Sequence, residues 1–202
     1  MVGLRMTRRR WAIVTLVSTL ATAILATSVV AGQFRSPDSE AFHAGLATGE
    51  IARVADIAAG EGLPGRGVFV QTTDTGQLCL WDAPSAGSRQ RQGGCNSADD
   101  PLGGHELSVS FAYDGGPAVS DVRDARLIGL VAERVAEVHV LMSDGSRRAM
   151  RLRDARIDGA SYRAFGHRFT PGELRQGAEP AAVLALDAAG QEIDRQQTGF
   201  VR

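Results

Sequence analysis

The chain has 202 residues, with 22 Lys and Arg against 23 Asp and Glu and a formal net charge of −1 at pH 7. Every basic residue is Arg, and Ala, Gly, Val and Asp are abundant, a bias that GC-rich codons produce without any functional demand. A near-neutral balance excludes a non-specific nucleic-acid binder, which needs a strong basic excess to release counterions, and the length left after targeting suits one core that folds without metal or cofactor.

Arg5, Arg8, Arg9 and Arg10 precede an apolar run over residues 11–31 whose only polar interruptions are Ser and Thr. At about 1.5 Å per residue this run covers the roughly 30 Å hydrocarbon core of a bilayer. Arginines before it, and Arg35, Asp38 and Glu40 after it, make residues 1–10 a cytoplasmic basic tail and put the rest of the chain outside. The expectation is a single-pass signal-anchor in the cell membrane. The alternative is secretion after cleavage, since Val29 and Ala31 offer small residues to a signal peptidase, but signal-peptide cores of about 7 to 15 residues are shorter than this run.

Residues 32–64 read as linker and juxtamembrane helix. Phe42, Leu46, Ile51, Val54, Ala55 and Ile57 recur at spacings of three to five, predicting a helix over 39–59 with Asp38 or Ser39 at its start and Gly60 at its end. From residue 65 to the C-terminus the period becomes two. Residues 68–72 and 77–81 flank Thr73-Asp74-Thr75-Gly76 as a hairpin. Residues 106–113, 126–131, 135–142, 147–153, 162–169, 181–186 and 191–197 follow as strands, with turns at Asp114-Gly115, Asp144-Gly145 and Asp187 to Gly190.

Short strands with regular turn signals predict a mainly β extracytoplasmic domain, an antiparallel sandwich over 65–202. The second choice is an α+β domain in which the helix over 39–59, or a helix over 123–137, covers one sheet. Leu127-Ile128-Gly129-Leu130-Val131, residues 135–140, Asp144-Gly145, and Ala185-Leu186-Asp187 with Gly190 carry a resemblance over about the last 80 residues. That stretch resembles the C-terminal immunoglobulin-like unit of uncharacterised exported proteins from high-GC bacteria. The resemblance implies a fold and an address, not an activity.

Cys79 and Cys95 are the only cysteines, and on an exported chain they read as a disulfide closing a Gly/Ser/Gln-rich loop that has no visible order of its own. Two soft ligands are too few for zinc, and the spacing is not that of a redox pair. His105-Glu106 lacks the second His of a zinc-hydrolase helix; His139 alternates with Val138 and Val140 and is expected on the sheet surface; His167 is expected beside aromatics. No metal site, cofactor motif, P-loop or nucleophile elbow is present, and Asp99-Asp100 alone falls short of the six or more oxygens that calcium requires.

Arg147, Arg148, Arg151 and Arg153, with Arg156, gather on what reads as one hairpin, with Arg151 and Arg153 on one face. Such charge protects an edge strand from aggregation, or it recognises an acidic envelope protein, an anionic polymer or a lipid headgroup. The functional expectation is therefore a non-enzymatic, membrane-anchored interaction module at the cell envelope. The alternatives are an envelope hydrolase or transferase assembled from residues such as His105, Asp99 and His167, and a small-ligand sensor acting through a membrane partner.

Overall fold

The computed structural model describes residues 49–115, 122–175 and 178–198. The apolar run over 11–31 and the first part of the helix expected over 39–59 lie outside the described residues. Twelve strands follow in order: β1 (Ala52–Ile57), β2 (Arg66–Thr72), β3 (Gln77–Ala83), β4 (Gln92–Ser97), β5 (Leu107–Gly115), β6 (Val122–Ala132), β7 (Glu137–Met142), β8 (Arg147–Met150), β9 (Arg153–Ile157), β10 (Ala160–Phe169), β11 (Pro180–Leu186) and β12 (Glu192–Gln197). One short helix, α1 (Pro171–Arg175), follows β10.

The strands form three four-stranded antiparallel sheets, ordered β1-β2-β3-β4, β5-β6-β10-β9 and β12-β11-β7-β8. The second sheet lies between the other two. On one face, Ile128, Leu130, Ala155, Ile157 and Ala164 pack with Val54, Ile57, Val68, Val70, Leu78 and Leu80 of the first sheet. On the other, Leu127, Val131, Phe165 and Phe169 pack with Val138, Val140, Met150 and Val183 of the third. The middle strand β6 is therefore buried on both faces, which is why its sequence from Leu127 to Val131 is a continuous apolar run instead of an alternation. This also settles the second choice over 123–137: β6 is a strand.

Two glycines permit this layering. Gly166 pairs with Ile128, and a Cβ there would lie 2.7 Å from Ile57 Cγ1 and 2.8 Å from Val68 Cγ2, so its bare backbone lets the first sheet approach β10. Gly129 pairs with Phe165, whose ring occupies the space a side chain would take at 2.3 Å. Asp194 of β12 accepts from the backbone N–H of Glu106 at 2.8 Å and of Leu107 at 3.3 Å, satisfying donors at the start of β5 that no strand reaches.

Several expectations need correction. The described part of the expected helix is strand β1, and the β domain starts there, ahead of residue 65. A bulge between Arg53 and Ala55 turns both Val54 and Ala55 inward, so the apolar spacing imitates a helix although β1 pairs with β2 throughout. The loop ahead of Cys95 is ordered by β4, whose Gly93 and Gly94 lie against Trp81 and Leu80. The strand expected over 147–153 is two strands in different sheets, β8 beside β7 and β9 beside β10. The turn expected at Asp114-Gly115 is instead the end of β5, where Asp114 pairs with Asp124 and Gly115 with Val122 of β6. The hairpin of β2 and β3, strands β6, β7 and β10 to β12, and the turn from Asp187 to Gly190 are where the alternation and turn residues put them.

The disulfide joins Cys79 and Cys95, which are directly opposed on β3 and β4, their Cα atoms 3.9 Å apart. It lies on the outer face of the first sheet beside Phe69 and Trp81, whose rings stack with centroids 6.1 Å apart.

Candidate functional site

Between β8 and β9 the chain leaves the third sheet and enters the second. Met150 is buried and Leu152 half-buried in the core between them, so the intervening Arg151 and the following Arg153 are left exposed. Because β9 begins at Arg153, it pairs with β10 only from Ala160 to Ala164. Residues 166–169 of β10 therefore have β6 on one side and no strand on the other.

A cleft of about 540 Å³ opens beside this unpaired edge, a size suited to a small ligand or a few residues of peptide. Its walls are Gly166 to Pro171, the end of β1 and the loop after it from Ala55 to Leu63, Arg123 at the start of β6, and Arg151 and Arg153. The surface is mainly apolar, from Ala55, Ala58, Ala59, Leu63, Phe169 and Pro171. Thr170, the one hydroxyl residue among the described lining, donates its hydroxyl to Glu173 Oε2 at 2.9 Å.

The charges around the cleft do not cancel. Asp56 is held by Arg53 at 2.5 Å. Arg168 is consumed by Asp124 at 2.8 Å and by the carbonyls of Ala58 at 2.6 Å and Pro64 at 3.1 Å, which also fixes the loop after β1. Arg123, Arg151 and Arg153 make no ion pair among the described residues, and Glu61 is the remaining carboxylate of the lining. Three unpaired guanidinium groups beside apolar walls focus a positive field into a concave site.

His167 adds no charge at neutral pH. Burial lowers its pKa and Arg148 lowers it further, against a raising effect from Glu173. Its ring meets Phe169 edge-on with centroids 4.8 Å apart, and its Nε2 is buried without a hydrogen-bond partner. Glu173, which forms a capping box with Thr170 at the start of α1, holds Arg148 at 2.8 Å.

Beneath the cleft, Arg168 ends a line of charges that ties the first sheet to the second. Arg66 bonds Asp82; Arg126 contacts Asp82 at 2.8 Å and bonds Asp124; Asp124 bonds Arg168. Arg126 and Asp82 are each 1% exposed. The contact of Arg126 Nε with Asp82 Oδ2 is an ion pair without hydrogen-bond angles, while Nη1 and Nη2 bond Asp124 and Gln92. Burial raises the Asp82 pKa against the lowering effects of Arg126 and Arg66. Burial pulls Arg126 down, but Asp82, Asp124 and Asp114 outweigh it and raise it.

Sequence reasoning grouped Arg147, Arg148, Arg151 and Arg153 on one hairpin, and the structure divides them. Arg147 and Arg148 lie on β8 of the third sheet, where Arg148 is engaged by Glu173; Arg151 and Arg153 line the cleft. His139 is on the outer face of the third sheet with Glu137 at 2.8 Å. His105 contacts Asp194 at 3.4 Å beyond the start of β5, next to the end of β6. His167 pairs with Leu127, four positions or about 13 Å along β6 from Val131, the partner of Leu107, so His105 and His167 share no site. Asp99 and Asp100 fall in the turn after β4, where Asp100 accepts from the Gly104 N–H at 2.9 Å, and no group of metal-ligating side chains occurs among the described residues. His43 lies outside them. Arg123 and Arg168 were missed because only the pairing of β6 with β10 brings them beside Arg151.

Comparison of the chain with protein-family models, with curated proteins and with solved structures returns no match.

Proposed function

We propose that the protein is a non-enzymatic, membrane-anchored interaction module of the cell envelope, and that its recognition site is the arginine-lined cleft at the open edge of β10. The observation that carries this reading is the set of three arginines, Arg123, Arg151 and Arg153, facing a concave and largely apolar site with no acidic partner among the described residues. Guanidinium groups left unpaired in such a place suit a carboxylate or phosphate that also presents apolar surface. The exported address rests on the apolar run over 11–31 behind four arginines, and a cross-strand disulfide agrees with an oxidising compartment. The immunoglobulin-like reading of the C-terminal stretch is supported by its layers, since β5 to β12 form two four-stranded antiparallel sheets. Its strand order supports the reading as well: counted from β5, the orders β5-β6-β10-β9 and β12-β11-β7-β8 correspond to the A-B-E-D and G-F-C sheets of the immunoglobulin sandwich, with β8 as an added strand beside the third.

The test is in situ crosslinking of the tagged full chain in its native membrane, read by mass spectrometry against Arg151→Glu/Arg153→Glu. A partner present with the wild type and lost with the variant supports the cleft as the recognition site. A partner retained equally by both moves recognition elsewhere on the domain.

A further inference from the structure

The open edge beside the cleft narrows the class of ligand, an inference that rests on the cleft being the recognition site. We infer that the occupant is an extended acidic peptide segment of a partner protein, which adds to β10 as a strand along residues 166–169. Three observations converge on this. First, β10 continues past Ala164 after β9 has ended, and no backbone hydrogen bond from residues 166–169 to any element other than β6 occurs among the described residues. Such an edge carries N–H and C=O groups with no protein partner, the template that β-strand addition uses. Second, the cleft runs along this same segment, so there is space where the added strand would lie. Four residues of extended chain span about 13 Å. Third, Arg151 and Arg153 stand beside the edge and Arg123 lies at the start of β6.

These features divide recognition in two. Backbone bonds to the edge hold any extended chain, and alternate acidic side chains reach the arginines while apolar ones face Ala55, Leu63 and Phe169. Gly166 contributes at the edge, because a side chain there would press on Ile57 and Val68 and push the first sheet away from the cleft. The other end of β10, from Ala160 to Ala164, is closed by β9, which confines addition to the arginine-flanked half.

The test uses the full chain in detergent micelles and a fluorescent hexapeptide alternating valine and glutamate, with binding read by anisotropy. The expected result is saturable binding that Arg151→Glu/Arg153→Glu abolishes at an unchanged thermal midpoint. N-methylation of alternate peptide amides, which removes two edge hydrogen bonds, is expected to weaken binding about tenfold or more. Equal binding of the N-methylated peptide, or of a valine–lysine peptide, overturns strand addition by an acidic segment. If the peptide fails to bind while inorganic phosphate binds in an Arg151- and Arg153-dependent manner, the peptide inference falls and the anion-binding cleft stands. If neither binds, both fall.

Discussion

Replacing Arg126 by Met tests whether the charge line between the first two sheets is buried as a unit. The Arg126 side chain is 1% exposed and contacts Asp82, Asp124, Gln92 and the more exposed Asp114. Met fills most of the volume but leaves Asp82 with Arg66 alone, Asp124 with Arg168 alone, and Gln92 Oε1 without its donor. Removing one partner from a buried ion pair costs about 3–5 kcal/mol, because the other charge stays behind in a low dielectric. For a domain of this size each kcal/mol moves the midpoint by roughly 2–4 °C, so the expected fall is roughly 6–20 °C. Thermal and urea unfolding, each followed by far-UV circular dichroism, measure the midpoint and the free energy, with Arg134→Met as control. Arg134 pairs with Glu106 but its side chain is 72% exposed, so that variant is expected to unfold at the wild-type midpoint. A loss below about 1 kcal/mol for Arg126→Met would show that water reaches the stranded carboxylates, and the argument for a dry, shared network would fail.

Gly166→Val is expected to destabilise by about 1–3 kcal/mol through overpacking against Ile57 and Val68, seen as a lower thermal midpoint; an unchanged midpoint would mean that the sheets separate freely. Replacing both Cys79 and Cys95 by Ala is expected to cost on the order of 3 kcal/mol in urea unfolding, the loop-entropy value for a separation of 16 residues. His167 makes stability depend on pH: with its folded pKa lowered by burial, its contribution is full above the ordinary histidine value and is lost as pH falls from that value through the lower folded one. The wild-type midpoint should therefore fall more steeply between about pH 7.5 and 5.5 than that of His167→Gln. Parallel curves in calorimetry would refute this sign.

Part of the strand content was legible because some strands alternate. In β7, buried Val138, Val140 and Met142 alternate with the less buried Glu137, His139 and Leu141, and the pattern reads directly. The turn residues were equally direct at Asp144-Gly145 and Asp187 to Gly190. Two further signals were present and unread: Asp158-Gly159, both at positive φ between β9 and β10, is a two-residue hairpin turn, and Thr170 with Glu173 is a capping box before α1. Strand β1 misled because its bulge breaks the period of two, and β4 because its glycines lack side chains and hold their place through pairing with β3.

By itself, then, the sequence determined an antiparallel β domain, its main hairpins, the pairing of Cys79 with Cys95 and the absence of any contiguous catalytic motif. These are local properties, set by side-chain period, turn chemistry and residue count. Tertiary structure alone decided that the strands make three sheets with β6 buried on both faces, since a strand's neighbours are chosen by packing over long separations. It also decided the site. Arg151 and Arg153 are near in sequence, but Arg123 and the unpaired end of β10 join them only because β10 lies between β6 and β9 and outruns β9 by several residues.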